Sequence, residues 1–325
     1  MFESDEKKNV IPSGRIAGRV AARAHIATIV LAGILAGTLL GAQALVLVRE
    51  GNIKARENGA KVIKEINSQG LSSFLGLEPI TRYYLLEKNG QLNGYAILSL
   101  QPMRNLNNSF VFQGRELYCY PDKDLRKVSS ILVPNDMNNY SIQEKIEYQK
   151  KNFFISTNQQ FDDGKLKVQY YNTYGMRQPI SLDVNQDYFI PAPLLDVISS
   201  VATTGDSNKK GVIFAIADIS LLATRSGTIL AECLVKPGGR VAHEIQDKDP
   251  AGHSVTVKWL GHEKTQTIYY DSQHQILWQE DHFDSETSTI RAVSRGELEK
   301  AFPQSVEDLE NYLPVDNNNE KSAVL

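Results

Sequence analysis

Residues 26–48 form an apolar run without a charged side chain, in which Thr28, Thr38 and Gln43 are the clearly polar positions. Coiled as a helix, this run is about 35 Å long, enough to cross a hydrocarbon layer of roughly 30 Å. Backbone groups in lipid must pair within their own segment, so the pattern predicts a transmembrane helix. Helical spacing continues over 50–68, where Ile53, Ala60, Val62, Ile63 and Ile66 interleave with Lys54, Arg56, Glu57, Lys61, Lys64 and Glu65. Gly59 weakens this second helix and Gly70 ends it. It reads as a stalk over 49–70 with a solvated charged face.

From about Ile80 the period changes to two. The runs 81–86 and 94–100 flank Lys88-Asn89-Gly90-Gln91, and Asn-Gly tolerates the positive φ of a tight hairpin turn. Further strand-like runs occupy 109–120, 126–133, 165–171, 212–216, 228–235, 241–246, 254–260, 265–270, 276–283 and 288–293, separated by clusters such as Pro237-Gly238-Gly239 and Asp249-Pro250-Ala251-Gly252. Short strands at such spacing predict a large antiparallel sheet, not βαβ units. Two helices interrupt it. One runs from Pro193 to Ala202 with proline in its first turn, and the other from Ser294 to Phe302 with Glu297 completing a capping box. The expected fold is mainly β: one N-terminal transmembrane helix, then a large curved antiparallel sheet, barrel-like but incomplete, with two or three short helices. The expected organisation is an N-terminal segment over 1–25, the anchor over 26–48, the stalk over 49–70, a mainly β domain over 71–313, and a polar, disordered tail over 314–325.

A cleaved signal peptide is the rival reading of the anchor, because Ala42-Gln43-Ala44 has the small-x-small form of a cleavage site. The long charged region before the run, and its continuation through Leu45-Val46-Leu47-Val48, favour an uncleaved anchor. Basic residues do not set the orientation: Lys7, Lys8, Arg15, Arg19 and Arg23 precede the run, and Arg49, Lys54, Arg56, Lys61 and Lys64 follow it. The long C-terminal part is the one expected to be translocated. The chain is therefore read as a single-pass protein of the cell inner (cytoplasmic) membrane with its β domain outside the cytoplasm. Gly33, Gly37 and Gly41 line one face of the predicted helix. Small residues there suit close packing against a second copy, although glycine is common in membrane helices generally.

The chain of 325 residues is 42% hydrophobic and 22% charged, which fits a globular protein. Its formal net charge of −3 offers no basic excess for phosphates, so no nucleic-acid partner is expected. Cys119 and Cys233 read as buried free thiols, with a single bridge as the alternative. His243, His253, His262, His274 and His282 lie close in sequence but lack the spacing of a zinc site, so no metal and no cofactor are expected. Ser207 and Lys210 lie in a polar loop, and Gly-x-Ser-x-Gly is absent. The chain therefore reads as a non-enzyme, with a hydrolase as the outlying alternative that would need His243, Glu280 and His282 to converge.

Val255, Val257 and Trp259 share one face of their strand, and Ile276 and Trp278 share one face of theirs together with Glu280 and His282. Apolar residues on both faces predict either a core sealed by the two helices or a cavity for an apolar ligand. The order of elements carries a resemblance: a long antiparallel run, the insert Ile190-Pro191-Ala192-Pro193-Leu194-Leu195-Asp196-Val197-Ile198, then a second run holding Tyr269-Tyr270-Asp271-Ser272-Gln273 and Ile276-Leu277-Trp278-Gln279-Glu280. Over residues 80–300 this pattern resembles the periplasmic lipoprotein-carrier (LolA/LolB-like) envelope proteins. The resemblance implies an incomplete β-barrel around an apolar cavity. The departures are a membrane helix and a longer domain. The functional expectation is a membrane-tethered domain that binds a lipid or a lipoprotein; the alternative is an envelope scaffold that self-associates through its transmembrane helix.

Overall fold

In the computed structural model the described residues are 51–305, less 105, 107, 121–122, 149–152, 177–178, 205–210, 218–228, 240–244, 246–248 and 284–285. The predicted anchor, with Gly33, Gly37 and Gly41, and the predicted tail lie outside them, as does most of the predicted strand over 241–246, of which Ile245 is helical. Among the described residues no helix is long and apolar enough to cross a membrane. The chain divides into two units, residues 1–54 and 55–325, and the second holds the fold.

That fold is one 15-stranded sheet in which every paired neighbour is antiparallel. Strands β1 (Ile80–Lys88), β2 (Gln91–Met103), β3 (Ser109–Tyr120), β4 (Lys123–Val133), β5 (Asn139–Tyr148), β6 (Phe153–Asp162) and β7 (Lys165–Asn172) form a meander, and β8 (Gly175–Met176) and β9 (Ile180–Asp183) both pair with β7. A second meander contains β10 (Val212–Ala217), β11 (Leu230–Pro237), β12 (His253–Trp259), β13 (Lys264–Tyr270), β14 (Ile276–Phe283) and β15 (Glu286–Val293). Pairing of β1 with β15 joins the two meanders. Asn89 and Gly90 turn the first hairpin at φ 50° and 74°, the left-handed geometry that Asn-Gly favours. A parallel bridge links Phe189, in the segment after β9, to Ala215 on the edge strand β10, with Ile190 N–H donating to the Ala215 carbonyl at 2.9 Å. The sheet is therefore barrel-like but not closed by a ladder.

Helix α1 (51–69) is not a stalk. Its apolar stripe of Ala55, Val62, Ile63 and Ile66 is buried, and the last three join the main core with residues of β2–β7 and β10–β13. Arg56 clamps the helix to β11 by two bonds of 2.7 Å to the Glu232 carboxylate, and Asn58 donates to the Gly211 carbonyl. At its far end Gly70 takes φ +81°, and Asn135, in the β4–β5 turn, accepts from the N–H groups of Leu71 and Ser72. Helix α1 thus crosses from β10–β11 to β4–β5. Its closest approach is at Gly59, where a Cβ would lie 2.1 Å from the Ile213 carbonyl oxygen on the edge strand β10.

The short α2 (Ser72–Leu75) follows α1. Helix α3 (Leu195–Thr204) is entered through a 3-10 turn, Ala192–Leu194, with proline in its first turn, and packs against β11 and β12. Helix α4 (Arg295–Ala301) carries the capping box between Ser294 and Glu297. It covers the outer face of β1–β3, where Leu298 and Phe302 bury Leu85, Tyr95, Ile97 and Leu117. Cys119 and Cys233 form no disulfide, and Cys233 is buried.

Gly59→Ala is expected to lower stability by roughly 1–3 kcal/mol, because the overpacking outweighs a helix-propensity gain of about 1 kcal/mol. Gly51→Ala in the same helix, with nothing within 4 Å, is the control and should cost nothing in a urea melt.

Candidate functional site on the concave face

Cross-strand register fixes which side chains share the inner face. One row reads Ala292, Tyr84, Ala96, Glu116, Lys127, Ile146 from β15 to β5, and the row beneath it reads Arg82, Leu98, Gly114, Ser129, Glu144, Thr157 from β1 to β6. Lower rows, such as Leu100, Phe112, Ile131 and Ile142, are the apolar layer that packs with α1. In the row next to this layer Gly114 and Ser129 stand where it has Phe112 and Ile131, so α1 is not matched by apolar side chains there. Leu98, on this inner face, remains 38% exposed.

Charges line the same open stretch. Lys127 Nζ lies 3.4 Å from both Glu116 Oε1 and Glu144 Oε1, and the Tyr118 hydroxyl donates to Glu116 Oε2 at 2.6 Å. Lys127 keeps 31% side-chain exposure, so water reaches the trio although it lies inside the curve of the sheet. The Glu116 carboxylate raises the Lys127 ammonium above the ordinary lysine value, against the cost of burial, and Glu144 adds to it. Tyr84, Leu86, Ala96, Tyr118, Ile290 and Ala292 make the apolar floor beside this trio. At about 4.8 Å per strand, the six strands from β14 to β4 span about 24 Å.

The predicted apolar ligand face is elsewhere and closed. Val255, Val257 and Trp259 are buried in the main core, on the strand that α3 packs against. Ile276 and Trp278 do not share a face. A β-bulge sets Ile276 opposite Tyr270 and Trp278 opposite Tyr269, so Leu277 is the extra residue and the alternation reverses. Ile276 packs on the inner cores, whereas Trp278 faces the other way.

Polar contacts hold α3 in place. Ser200 Oγ lies 3.0 Å from His253 Nε2 and 2.8 Å from His274 Nδ1, and the Tyr270 hydroxyl donates to the Asp196 carbonyl at 2.7 Å. Burial lowers the pKa of both imidazoles, and His274 lowers that of His253 further. A serine between two histidines has the composition of a nucleophile–base pair, but Ser200 is fully buried. His282 bonds Glu280 at 2.6 Å on the exposed side, and His243 lies outside the described residues. Among the described residues no group of three or more His, Cys, Asp or Glu side chains could hold a metal ion. Among the described residues, one cavity of about 380 Å³ lies beside Tyr188, Ala215 and Glu232, and another of about 290 Å³ lies between β6, β7 and β9.

The chain pattern alone does not single out Leu98, Glu116, Lys127 or Glu144. A signal existed in Tyr140, Ile142, Glu144 and Ile146, where a carboxylate falls on the apolar face of a period-two run. Fold and face together define a mainly β, barrel-like domain with a partly open interior. No family model matches the chain, and no curated protein matches it. Among solved structures it is similar to the crystal structure of a beta-barrel-like protein of domain of unknown function DUF1849 from Brucella abortus, with 11% identity and a TM-score of 0.49, over 67% of this chain and 97% of that one.

Burial, with the nearby Asp281 charge adding to it, raises the Asp196 carboxyl to about 7. A raised carboxyl makes the folded state bind the proton more tightly than the unfolded state, so stability falls as pH rises from about 4 to about 7 and is flat above. Asp196→Asn is expected to stabilise the β domain by roughly 2–4 kcal/mol at pH 8 and by almost nothing at pH 4, read as the difference in urea midpoints.

Proposed function

We propose that this protein is a cell-envelope binding protein, held at the inner membrane by residues 26–48, whose β domain takes a single amphipathic lipid along the open strip of its concave face. The observation that carries the reading is Leu98, an apolar side chain left 38% exposed inside the curve of the sheet, beside the Glu116–Lys127–Glu144 trio. An apolar chain lies on Leu98 and Ala292, beside the buried Tyr84–Leu86–Ala96 cluster, and a polar head lies at one end of the strip. A whole lipoprotein, the larger cargo that the carrier resemblance implies, does not suit an interior in which α1 and α3 occupy so much of the core. Native mass spectrometry of the full chain in detergent is expected to retain a lipid on the wild type and to lose about tenfold of it in Leu98→Arg. A wild-type spectrum without any lipid adduct would sink the reading.

The filled part of the interior favours a second reading, an envelope scaffold that self-associates through Gly33, Gly37 and Gly41. Gly37→Ile should then reduce self-association in a membrane reporter assay by severalfold, and an unchanged signal removes this reading.

A further inference from the structure

At the β13–β14 end of the same concave face lies a second polar group that the charged trio does not use. Gln266 and Asp281 stand directly opposite each other. Gln279 donates from Nε2 to Asp281 Oδ1 at 2.9 Å. Gln266 is only 7% exposed, and its Oε1 is buried without a partner. A buried carbonyl acceptor left unpaired costs about 1–3 kcal/mol, so the arrangement asks for a donor. Asp196 reaches the group from the first turn of α3, close enough for the Asp281 charge to act on it. The Trp259 ring lies beside it, with the Lys264 Nζ 4.1 Å from its centroid, and the Lys264 charge also acts on Asp196 and Asp281.

The set is therefore two carboxyls, one amide oxygen in want of a hydrogen, and an aromatic face already used by one cation. A divalent cation such as calcium takes six to eight oxygens and is disfavoured by the neighbouring Lys264. A primary ammonium has three N–H donors, one for each of the three groups Asp196, Asp281 and Gln266. We propose that this end of the concave face receives a primary ammonium group, which makes the amphipathic ligand an amine-headed one. The inference rests on the lipid reading above for the rest of the ligand. Lys264 is then the resident counter-ion, which an incoming ammonium displaces or joins.

Three probes separate the two ideas by native mass spectrometry of the full chain in detergent: dioleoylphosphatidylethanolamine, dioleoylphosphatidylcholine and putrescine. Phosphatidylethanolamine should be retained about tenfold better than phosphatidylcholine, whose trimethylated head has no N–H donor. Asp281→Asn should reduce that retention about tenfold, and Lys264→Met should raise it, because a competing cation is gone. Gln266→Leu, with circular dichroism to confirm folding, replaces Asp281→Asn if the latter fails to fold, and should cost about the same. Equal retention of the two lipids, or no effect of these variants, overturns the ammonium site and leaves lipid binding standing. Putrescine binding without either lipid supports the ammonium site and overturns the lipid reading. No binding of any probe overturns both.

Discussion

Helix α1 lying across the edge of the sheet is the contact on which the rest of the fold depends. A long sheet that fails to close has two edges, and an exposed edge strand as apolar as β10 is a template for pairing with other chains. Here the edge is covered from within its own domain: Gly59 lets the helix backbone meet the Ile213 carbonyl, and the Arg56–Glu232 clamp fixes the helix there. The same helix supplies the apolar stripe that fills the lower interior. One element thus protects the edge and builds the core, which is why a glycine that weakens the helix on its own terms is tolerated.

The interior is divided by what each row of side chains offers to the helices. Where rows read Leu100, Phe112, Ile131 and Ile142, α1 has a partner and water is excluded. Where they read Leu98, Gly114, Ser129 and Glu144, no apolar layer of matching height exists, and Leu98 stays exposed. Helix α3 packs on β11 and β12, with Ser200 seated between two imidazoles whose pKa burial lowers. The open strip is the part of the concave face that neither helix claims.

Much of this was legible in the chain. Strands with clean alternation, the Asn89-Gly90 turn and the Ser294–Glu297 capping box declare themselves locally, because each depends on residues a few positions apart. Strands β5 and β6 were hidden: glutamate, lysine and glutamine dilute the apolar pattern of β5, and β6 turns Thr157 and Gln159 inward. The shared face of Ile276 and Trp278 failed at a bulge, which adds one residue and reverses every side chain beyond it. The helix over 51–69 was readable, but its destination was not, since burial of its stripe depends on strands up to about 180 residues away along the chain. For the same reason the Glu116–Lys127–Glu144 trio, assembled by register from three strands, left only the misplaced charge of Glu144 as a trace.

The pairing of β1 with β15 has a consequence for how the chain is made. Every other neighbour in the two meanders is also a neighbour in sequence, so each hairpin can form as it emerges. Strand β1 cannot satisfy its second edge until residues 286–293 have been synthesised. At roughly 5–20 residues per second, the intervening chain takes on the order of 10–40 s to appear. For that interval the first meander stands half-finished, with its Tyr84 and Leu86 face uncovered by Ala292 and Ile290. Vectorial production of this protein therefore includes a waiting period in which a holding factor, or the speed of translation itself, decides between closure and aggregation.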